Sequence, residues 1–461
     1  MDTRHIEALR AIVGADNVYD DPAHLRAYSY DATRTHYRPE AVVFPRDESD
    51  VQRIAVYCNT HAIALTPRGA GSGFTGGALP KNGGIILAME KHMNKILEVD
   101  MANMLVTVQP GVINKDLQRH VEALGLFYPP DPASEEYSTL GGNVSENAGG
   151  MRAAKYGLTK DYVMALRAVR ANGDVIRAGK HTIKDVAGYN IAGILIASEG
   201  TLAILTEITL KLIPKPRYVQ SYMGVFPSVE DAMNAVFKSL ADGANPVAME
   251  FLDSLVVHSV KEKMGIALPE EAGALLIGDV DGNVPEEVAF QLETLERSFR
   301  ENGAQEFRVA EDPAERDRLW TARRNASPSV TLYGTKKLNE DISVPRSKLP
   351  EALTAIYKIG DKYGLKVPCF GHAGDGNIHV NVMVDGSDPV QLANGHKAIR
   401  EIFELVVSMG GTLSGEHGIG LSKAEFMSIA FTPAELQLFR EIKQAFDPNN
   451  ILNPGKMGLP D

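Results

Sequence analysis

The sequence predicts an α+β protein with more than one domain. Three observations carry this. Segments with apolar residues at helical spacing alternate with short apolar runs of strand length. Glycine is dense up to about Thr209 and much sparser beyond it. Between the two regions stands Ile213-Pro214-Lys215-Pro216, a stiff extended connector that can continue neither a helix nor a central strand. A chain of 461 residues has ample length for two large domains.

From Ser49 to Asn59, Val51, Ile54, Ala55 and Cys58 fall on one helical face, and Ser49 with Gln52 offers a capping box. Ile63 to Thr66 reads as a short buried strand running into the glycine-rich segment Pro67 to Gly77. Ile85 to Met89 and Leu105 to Val108 are further strands, and Asn114 to Leu124 is a helix with Asn at its start and Gly125 as its stop. The most apolar stretch, Ile191 to Ile213, is interrupted by Glu199, Gly200, Glu207 and Lys211. Charges there are expensive at a bilayer centre, so it reads as a buried element and not a membrane span. Beyond the connector, about Arg217 to Val367, amphipathic helices such as Val229 to Leu240 indicate a separate helix-and-sheet module.

Composition narrows the function. Hydrophobic residues at 44% and charged residues at 23% are ordinary for a soluble globular protein. A net charge of −12 argues against a nucleic-acid partner, which would need a concentrated positive face. Residues 1–14 carry Asp2, Arg4, His5, Glu7 and Arg10 and lack the apolar core of a signal peptide. Cys58 and Cys369 are the only cysteines, which is no disulfide framework and fits a reducing compartment. The expectation is a cytoplasmic protein without an integral membrane segment, associated with a membrane only through a partner.

Gly71, Gly73 and Gly76 satisfy the dinucleotide fingerprint G-x-G-x-x-G after a strand. That fingerprint works by opening directly into a helix whose N-terminal amides hold a pyrophosphate. Here Gly77-Ala78-Leu79-Pro80-Lys81-Asn82-Gly83-Gly84 follows, which cannot form that helix. Seven glycines between Gly69 and Gly84 can still present backbone amides as an anion-binding nest. The plain alternative is a surface turn without a ligand.

Two further segments bear on that choice. Pro129-Pro130-Asp131-Pro132-Ala133-Ser134 leads to Thr139-Leu140-Gly141-Gly142-Asn143 and Asn147-Ala148-Gly149-Gly150, and later comes Ala197-Ser198-Glu199-Gly200-Thr201-Leu202. With Pro67-Arg68-Gly69-Ala70-Gly71-Ser72-Gly73, these residues resemble the FAD-binding domain of the vanillyl-alcohol oxidase/p-cresol methylhydroxylase family over most of Tyr37 to Leu212. The resemblance implies a two-subdomain FAD-binding domain with the flavin ring directed toward an α+β cap. It implies cofactor contacts at Pro67, Arg68, Gly69, Ala70, Gly71, Ser72, Gly73, Gly76, Thr139, Gly141, Gly142, Asn143, Ala148, Gly149, Glu199, Gly200 and Ile204. Some relatives tether the flavin through a histidine in the first loop; Ser72 stands at that place, so non-covalent FAD is expected.

The most informative segment is Pro368-Cys369-Phe370-Gly371-His372-Ala373-Gly374-Asp375-Gly376-Asn377-Ile378-His379-Val380-Asn381. Asp-Gly between alternating flanks signals a two-residue hairpin. With Asp375 and Gly376 as the turn, His372 would face His379 on one side of the ribbon, a ready chelate for a metal ion. Cys369 would lie on the other face. A histidine pair can also be mere packing. Ser414-Gly415-Glu416-His417-Gly418-Ile419-Gly420 offers a third ligand, and two imidazoles with one carboxylate leave positions open for substrate. Zinc is the first expectation, Fe²⁺ or Mn²⁺ the alternatives. Glu416 and His417 are neighbours, so both can serve only if the backbone turns there.

These two motifs, with Phe446-Asp447-Pro448-Asn449-Asn450-Ile451-Leu452-Asn453-Pro454-Gly455-Lys456, resemble the glycolate oxidase D-subunit, D-lactate dehydrogenase and D-2-hydroxyglutarate dehydrogenase branch. The resemblance implies His372, His379 and Glu416 as metal ligands, His417 as base, Asn381 near the substrate and Asn453 near the cofactor. Trp320-Thr321-Ala322-Arg323-Arg324 also resembles the branch, where the arginine three residues after the tryptophan grips the substrate carboxylate, as a guanidinium fork is shaped to do. An ion pair of Arg323 with Glu315 or Asp317 is the structural alternative. Arg324 reads as structural.

The implied activity is FAD-dependent oxidation of a small D-2-hydroxy acid. Electrons would pass to an electron-transferring flavoprotein, an iron–sulfur subunit or quinone, because this chain has too few cysteines for its own cluster. A homodimer is compatible with this. The expected organisation is a helical segment 1–36, an FAD domain 37–215, a cap 216–420 and a segment 421–461 returning to the FAD domain. The rival functions are a metal-dependent hydrolase on the same His/His/Glu set and a non-catalytic flavoprotein subunit of a larger complex.

Overall fold

The computed structural model describes residues 1–265 and 272–460. The chain forms two compact units. The first comprises Met1–Gly150, Gly157–Lys215 and Glu416–Asp461, the second Met151–Tyr156 and Pro216–Gly415.

In the first unit, strands β1 (Val18–Tyr19), β2 (Ala41–Val43), β3 (Leu65–Arg68) and β4 (Ile85–Ala88) form a sheet of order β1-β2-β4-β3. The β2–β4 and β3–β4 pairs are parallel. Parallel strands are covered on both faces, and β2 and β4 are apolar at every position accordingly. The helices Thr3–Val13 and Glu48–His61 pack on one face through Ile6, Leu9, Val13, Val51 and Ile54. Residues 1–36, expected as a helical segment, contain the helices Thr3–Val13 and Pro22–Ala27 and contribute Ile6, Leu9, Val13 and Val18 to this core. The helix Glu48–His61 starts two residues earlier than the capping box suggested, because the Asp47 carboxylate accepts the Asp50 N–H at 2.9 Å and caps it instead of Ser49.

Strands β5 (Ile96–Asp100), β6 (Leu105–Val108), β7 (Leu126–Phe127), β8 (Val163–Val169), β9 (Val175–Gly179), β10 (Ile204–Lys211) and β11 (Ile213–Pro214) complete the unit. Five form an antiparallel sheet of order β5-β6-β10-β8-β9, while β7 and β11 make a two-stranded ribbon. The helix after β6 spans Asn114–Glu122, with Gly125 at φ +78° beyond its end. Asn114 does not cap it; its Nδ2 donates to the Pro130 carbonyl at 3.1 Å. The stretch Ile191 to Ile213 is two elements rather than one. A short helix Ile191–Leu195 and strand β10 are separated by Ala197, Glu199 and Gly200, all in the left-handed region, which breaks any continuous element.

The second unit is built on one antiparallel sheet. Its strands are β12 (Tyr218–Phe226), β13 (Ala248–Asp253), β14 (Ala274–Gly282), β15 (Glu306–Val309), β16 (Lys336–Ser343), β17 (Cys369–His372) and β18 (Asn377–Val384), in the order β15-β12-β14-β13-β17-β18-β16. Helices Val229–Ala241, Pro285–Glu301, Leu349–Tyr363 and Pro389–Ser408 cover one face; Ser254–Met264 and Pro313–Arg324 cover part of the other. Strand β18 shows the two faces in its alternation. Ile378, Val380 and Val382 point to the first layer of helices, Asn377, His379 and Asn381 to the opposite face. Residues 151–156, expected in the FAD domain, belong to this unit: Lys155 pairs with Asp281, and the Tyr156 hydroxyl donates to the same carboxylate at 2.7 Å. The return to the first unit begins at Glu416, five residues before the expected boundary at 421. No helix among the described residues is long and apolar enough to cross a membrane.

Candidate flavin cleft and metal-binding face

The loop after β3, the helix Leu140–Glu146 and the turn before β10 converge on a cleft in the first unit. Its lining includes Pro67, Arg68, Gly69, Ala70, Gly71, Ser72, Gly73, Thr139, Gly141, Gly142, Asn143, Ala148, Gly149, Glu199, Gly200 and Ile204, and also Glu416 and His417. Residues 77–84 form turns and no helix, so the loop is not a Rossmann loop. At Gly69 a Cβ would collide with the Thr139 hydroxyl, whereas at Gly73 a Cβ would meet nothing within 4 Å and would enter the open cleft. Glycine at Gly73 thus keeps space for a ligand. Arg68 supports the loop from behind, donating to the carbonyls of Tyr30 at 2.9 Å and Ala78 at 3.2 Å above the Tyr28 ring.

Two predicted residues lie off the cleft. Gly76, at φ +82°, shapes the turn against Leu421. Asn453, fully buried at φ +43°, donates Nδ2 to the carbonyls of Gly77 at 2.8 Å and Glu199 at 2.7 Å, tying two cleft walls together. Asn453→Ala leaves both carbonyls unsatisfied in a left-handed turn. It is expected to cost about 2–4 kcal/mol, read as a lower urea midpoint.

Sequence reasoning missed Glu146. Its carboxylate and that of Glu199 both approach Gly418. Burial and the neighbouring Glu199 charge push Glu146 well above the usual carboxylate range. Burial also raises Glu199, but the amides of Ile419 at 2.7 Å and Gly420 at 2.8 Å favour its ionised form. Glu146 is therefore the member that keeps the proton. A carboxyl raised on folding contributes its stability below its unfolded value near 4.5 and loses it as pH rises. Glu146→Gln should match the wild type at about pH 4 and melt higher at about pH 8.

In the same unit both Glu416 and His417 line the cleft despite being neighbours, and the chain turns just after them, at Gly418 (φ +85°) and Gly420 (φ +50°). The His417 ring lies 5.1 Å from that of Phe74, and its carbonyl accepts the Thr75 hydroxyl at 3.3 Å.

In the second unit the hairpin register differs from the expected one by two residues. Phe370 pairs with His379 and His372 with Asn377, leaving residues 373–376 as a four-residue turn with Gly376 at φ +92°. His372 and His379 are diagonal neighbours rather than directly opposed. A shift of two preserves the face, so both rings still meet, edge to face with centroids 5.3 Å apart. Cys369 lies on the other face, with its thiol donating to the Val367 carbonyl.

Glu250, directly across the ladder from His372, was also missed. Its Oε1 is 2.6 Å from His372 Nδ1, and its Oε2 accepts from Arg323 Nε at 2.6 Å. Burial pushes its pKa up, but the charges of His372 and Arg323 outweigh this and hold the carboxyl below its usual range. Arg323 pairs with neither Glu315 nor Asp317; its guanidinium lies over the Phe370 ring. Arg324 is the one that bonds Asp317, on the surface. Asn381 shares the His379 face. Its Nδ2 donates to the carbonyls of Pro368 at 3.0 Å and His379 at 3.1 Å, and its buried Oδ1 has no hydrogen-bond partner among the described residues. Asp341, opposite His379, accepts the Ser414 hydroxyl and the Gly415 amide, both at 2.9 Å, fixing the residues that precede Glu416. Lys337 lies on this face too; burial lowers its pKa, and its Nζ donates to Ser327 at 2.5 Å.

Residues 39–179 match the family described as FAD binding domain, and residues 215–457 that described as FAD linked oxidases, C-terminal domain. Together they define an FAD-linked oxidoreductase. The chain is 40% identical over 456 residues to glycolate oxidase subunit GlcD of Bacillus subtilis, covering 99% of this chain and 97% of that protein. It is 37% identical to the D-lactate dehydrogenase of Anaerostipes hadrus (98% and 96% covered) and 31% identical to the D-2-hydroxyglutarate dehydrogenase of Stutzerimonas stutzeri (98% of each). In fold it is similar to p-cresol methylhydroxylase with substrate bound, at a TM-score of 0.83 and 19% identity over 99% of this chain and 97% of that one. The chain belongs to the FAD-linked oxidase family.

Proposed function

We propose that the protein oxidises a small D-2-hydroxy acid to the corresponding 2-oxo acid and passes the electrons to an external acceptor. The relatives that act on glycolate, D-lactate and D-2-hydroxyglutarate by name support the substrate class. The observation that carries the reading is the joining of the His372 imidazole to the Arg323 guanidinium through the buried Glu250 carboxylate. Packing alone does not call for two imidazoles and a guanidinium on one buried sheet face.

FAD fits the glycine-walled cleft, with Gly73 leaving it open, and Ser72 gives the first loop no histidine for a covalent link. A divalent cation, zinc first and Fe²⁺ or Mn²⁺ as alternatives, would be held by His372 and His379, whose rings meet on one face of the second unit, with Glu416 as the third ligand the family resemblance implies. When bound, FAD supplies a two-electron acceptor and the cation supplies Lewis acidity at the substrate hydroxyl. The chain's own residues do the rest. Arg323 grips the substrate carboxylate through its Nη donors, since Nε is already engaged. Asn381 Oδ1, buried and unbonded, accepts from the substrate. The His417 imidazole takes the hydroxyl proton as the α-hydrogen leaves with its electron pair. The protein acts in the cytoplasm, as a single copy or a homodimer, and its acceptor is an electron-transferring flavoprotein, an iron–sulfur subunit or quinone.

The test is anaerobic mixing of the holoprotein with D-lactate, glycolate and D-2-hydroxyglutarate. Bleaching of the flavin bands by at least one supports the reading. A colourless zinc protein that cleaves esters or amides, or a flavin that no 2-hydroxy acid bleaches, overturns it. Lys337, and not Lys336, is the cation on the substrate face, so Lys337→Ala is expected to raise KM for a dicarboxylate by about tenfold or more, against less than about twofold for D-lactate.

A further inference from the structure

We infer that Glu250 is a positioning residue that locks the metal-ligating His372 and the carboxylate-gripping Arg323 into one unit; this rests on the functional reading above. Glu250 sits in the middle of β13, a strand buried at all of its positions, and is itself 0% exposed. Removing a carboxylate from water costs several kcal/mol, and replacing a buried ion pair with apolar residues of similar volume is commonly neutral or stabilising. The fold alone is therefore poorly served by a glutamate here. Its two oxygens are divided between two partners, one each at 2.6 Å.

Each contact has a chemical consequence. An ionised carboxylate can only accept, so His372 Nδ1 carries a proton, and in the neutral imidazole that ligates a cation Nε2 is then the nitrogen with the lone pair. The charge-assisted bond also makes that nitrogen a stronger donor to a cation. On the other side, holding Arg323 at Nε leaves both Nη groups for a substrate carboxylate, and the guanidinium carbon lies 4.9 Å from the centroid of the Phe370 ring, a cation–π contact that adds to its hold. Phe370 and His372 are two residues apart on one strand face, so the aromatic floor and the imidazole move together. Metal position and substrate position are thus set by a single side chain.

Glu250→Gln separates this role from a structural one. Glutamine keeps the shape, but its NH₂ group can donate to His372 Nδ1 and so favour the tautomer with the proton on Nε2, the nitrogen needed for the cation. The expected result is zinc retention weakened about 10- to 100-fold in competition with a chelator, a raised KM for the bleaching acid, and flavin content unchanged. Glu250→Asp keeps the charge with one methylene less reach and should recover part of the zinc affinity. Zinc retention and KM equal to wild type in both variants overturn the inference while leaving the functional reading intact. A wild-type protein that takes up no divalent ion, with a flavin no 2-hydroxy acid bleaches, overturns both. If Glu250→Gln does not fold, the aspartate variant carries the same two readouts.

Discussion

His379→Ala is expected to fold, to keep its flavin, and to be bleached by its 2-hydroxy acid with a kcat/KM lower by about 10³-fold or more, which is about 4 kcal/mol of transition-state stabilisation. His379 lies in the interior of β18, where the ladder bonds do not depend on its side chain. Alanine there removes one imidazole and leaves the sheet. The two units have separate cores, so the cleft of the first should retain FAD. Metal analysis should show zinc lost in parallel with activity. Adding excess zinc should not restore the rate, because two remaining ligands seldom hold a catalytic ion. An enzyme that turns over normally without the His379 imidazole would remove the cation from the proposal.

The second large effect is expected at Gly73. Its Cβ position is open for 4 Å in every direction and lies in the lining of the cleft. Gly73→Leu would place four carbons where a nucleotide has to pass, a kind of overpacking that costs about 1–3 kcal/mol and corresponds to roughly 10- to 100-fold weaker FAD binding. Because nothing in the protein is displaced, the apoprotein should melt at the wild-type temperature. Absorbance per chain after gel filtration reads the loss of flavin directly. Wild-type flavin content in this variant would place the cofactor elsewhere.

The sequence made several of these residues visible because their patterns are local. Alternation marked β18, and parity carried His372 and His379 to one face even though the turn is four residues long and not two. The register itself was not legible, since the length of the turn depends on how the residues from 373 to 376 pack and not on Asp-Gly alone. Glu250 and Asp341 escaped notice because each gains its meaning from partners distant in sequence, His372 and Arg323 for one and Gly415 for the other. A signal existed for Glu250: a charge in the middle of the otherwise apolar run Ala248–Leu252 has to be paired somewhere. Glu146 gave none, as a glutamate ending a short helix reads as solvated. The stretch Ile191 to Ile213 misled because hydropathy ignores backbone handedness, and the left-handed turn at Ala197 to Gly200 appears only in three dimensions.

The six residues Met151–Tyr156, anchored to Asp281 through Lys155 and Tyr156, keep the second unit from being a contiguous stretch of gene. A fragment begun at Pro216 would lack its own anchor strap and leave the Asp281 carboxylate bereft of both partners. Recombining such enzymes by splicing at the proline connector would graft one parent's strap onto the other's aspartate. Chimeras that carry the strap along with the module it serves should survive far more often.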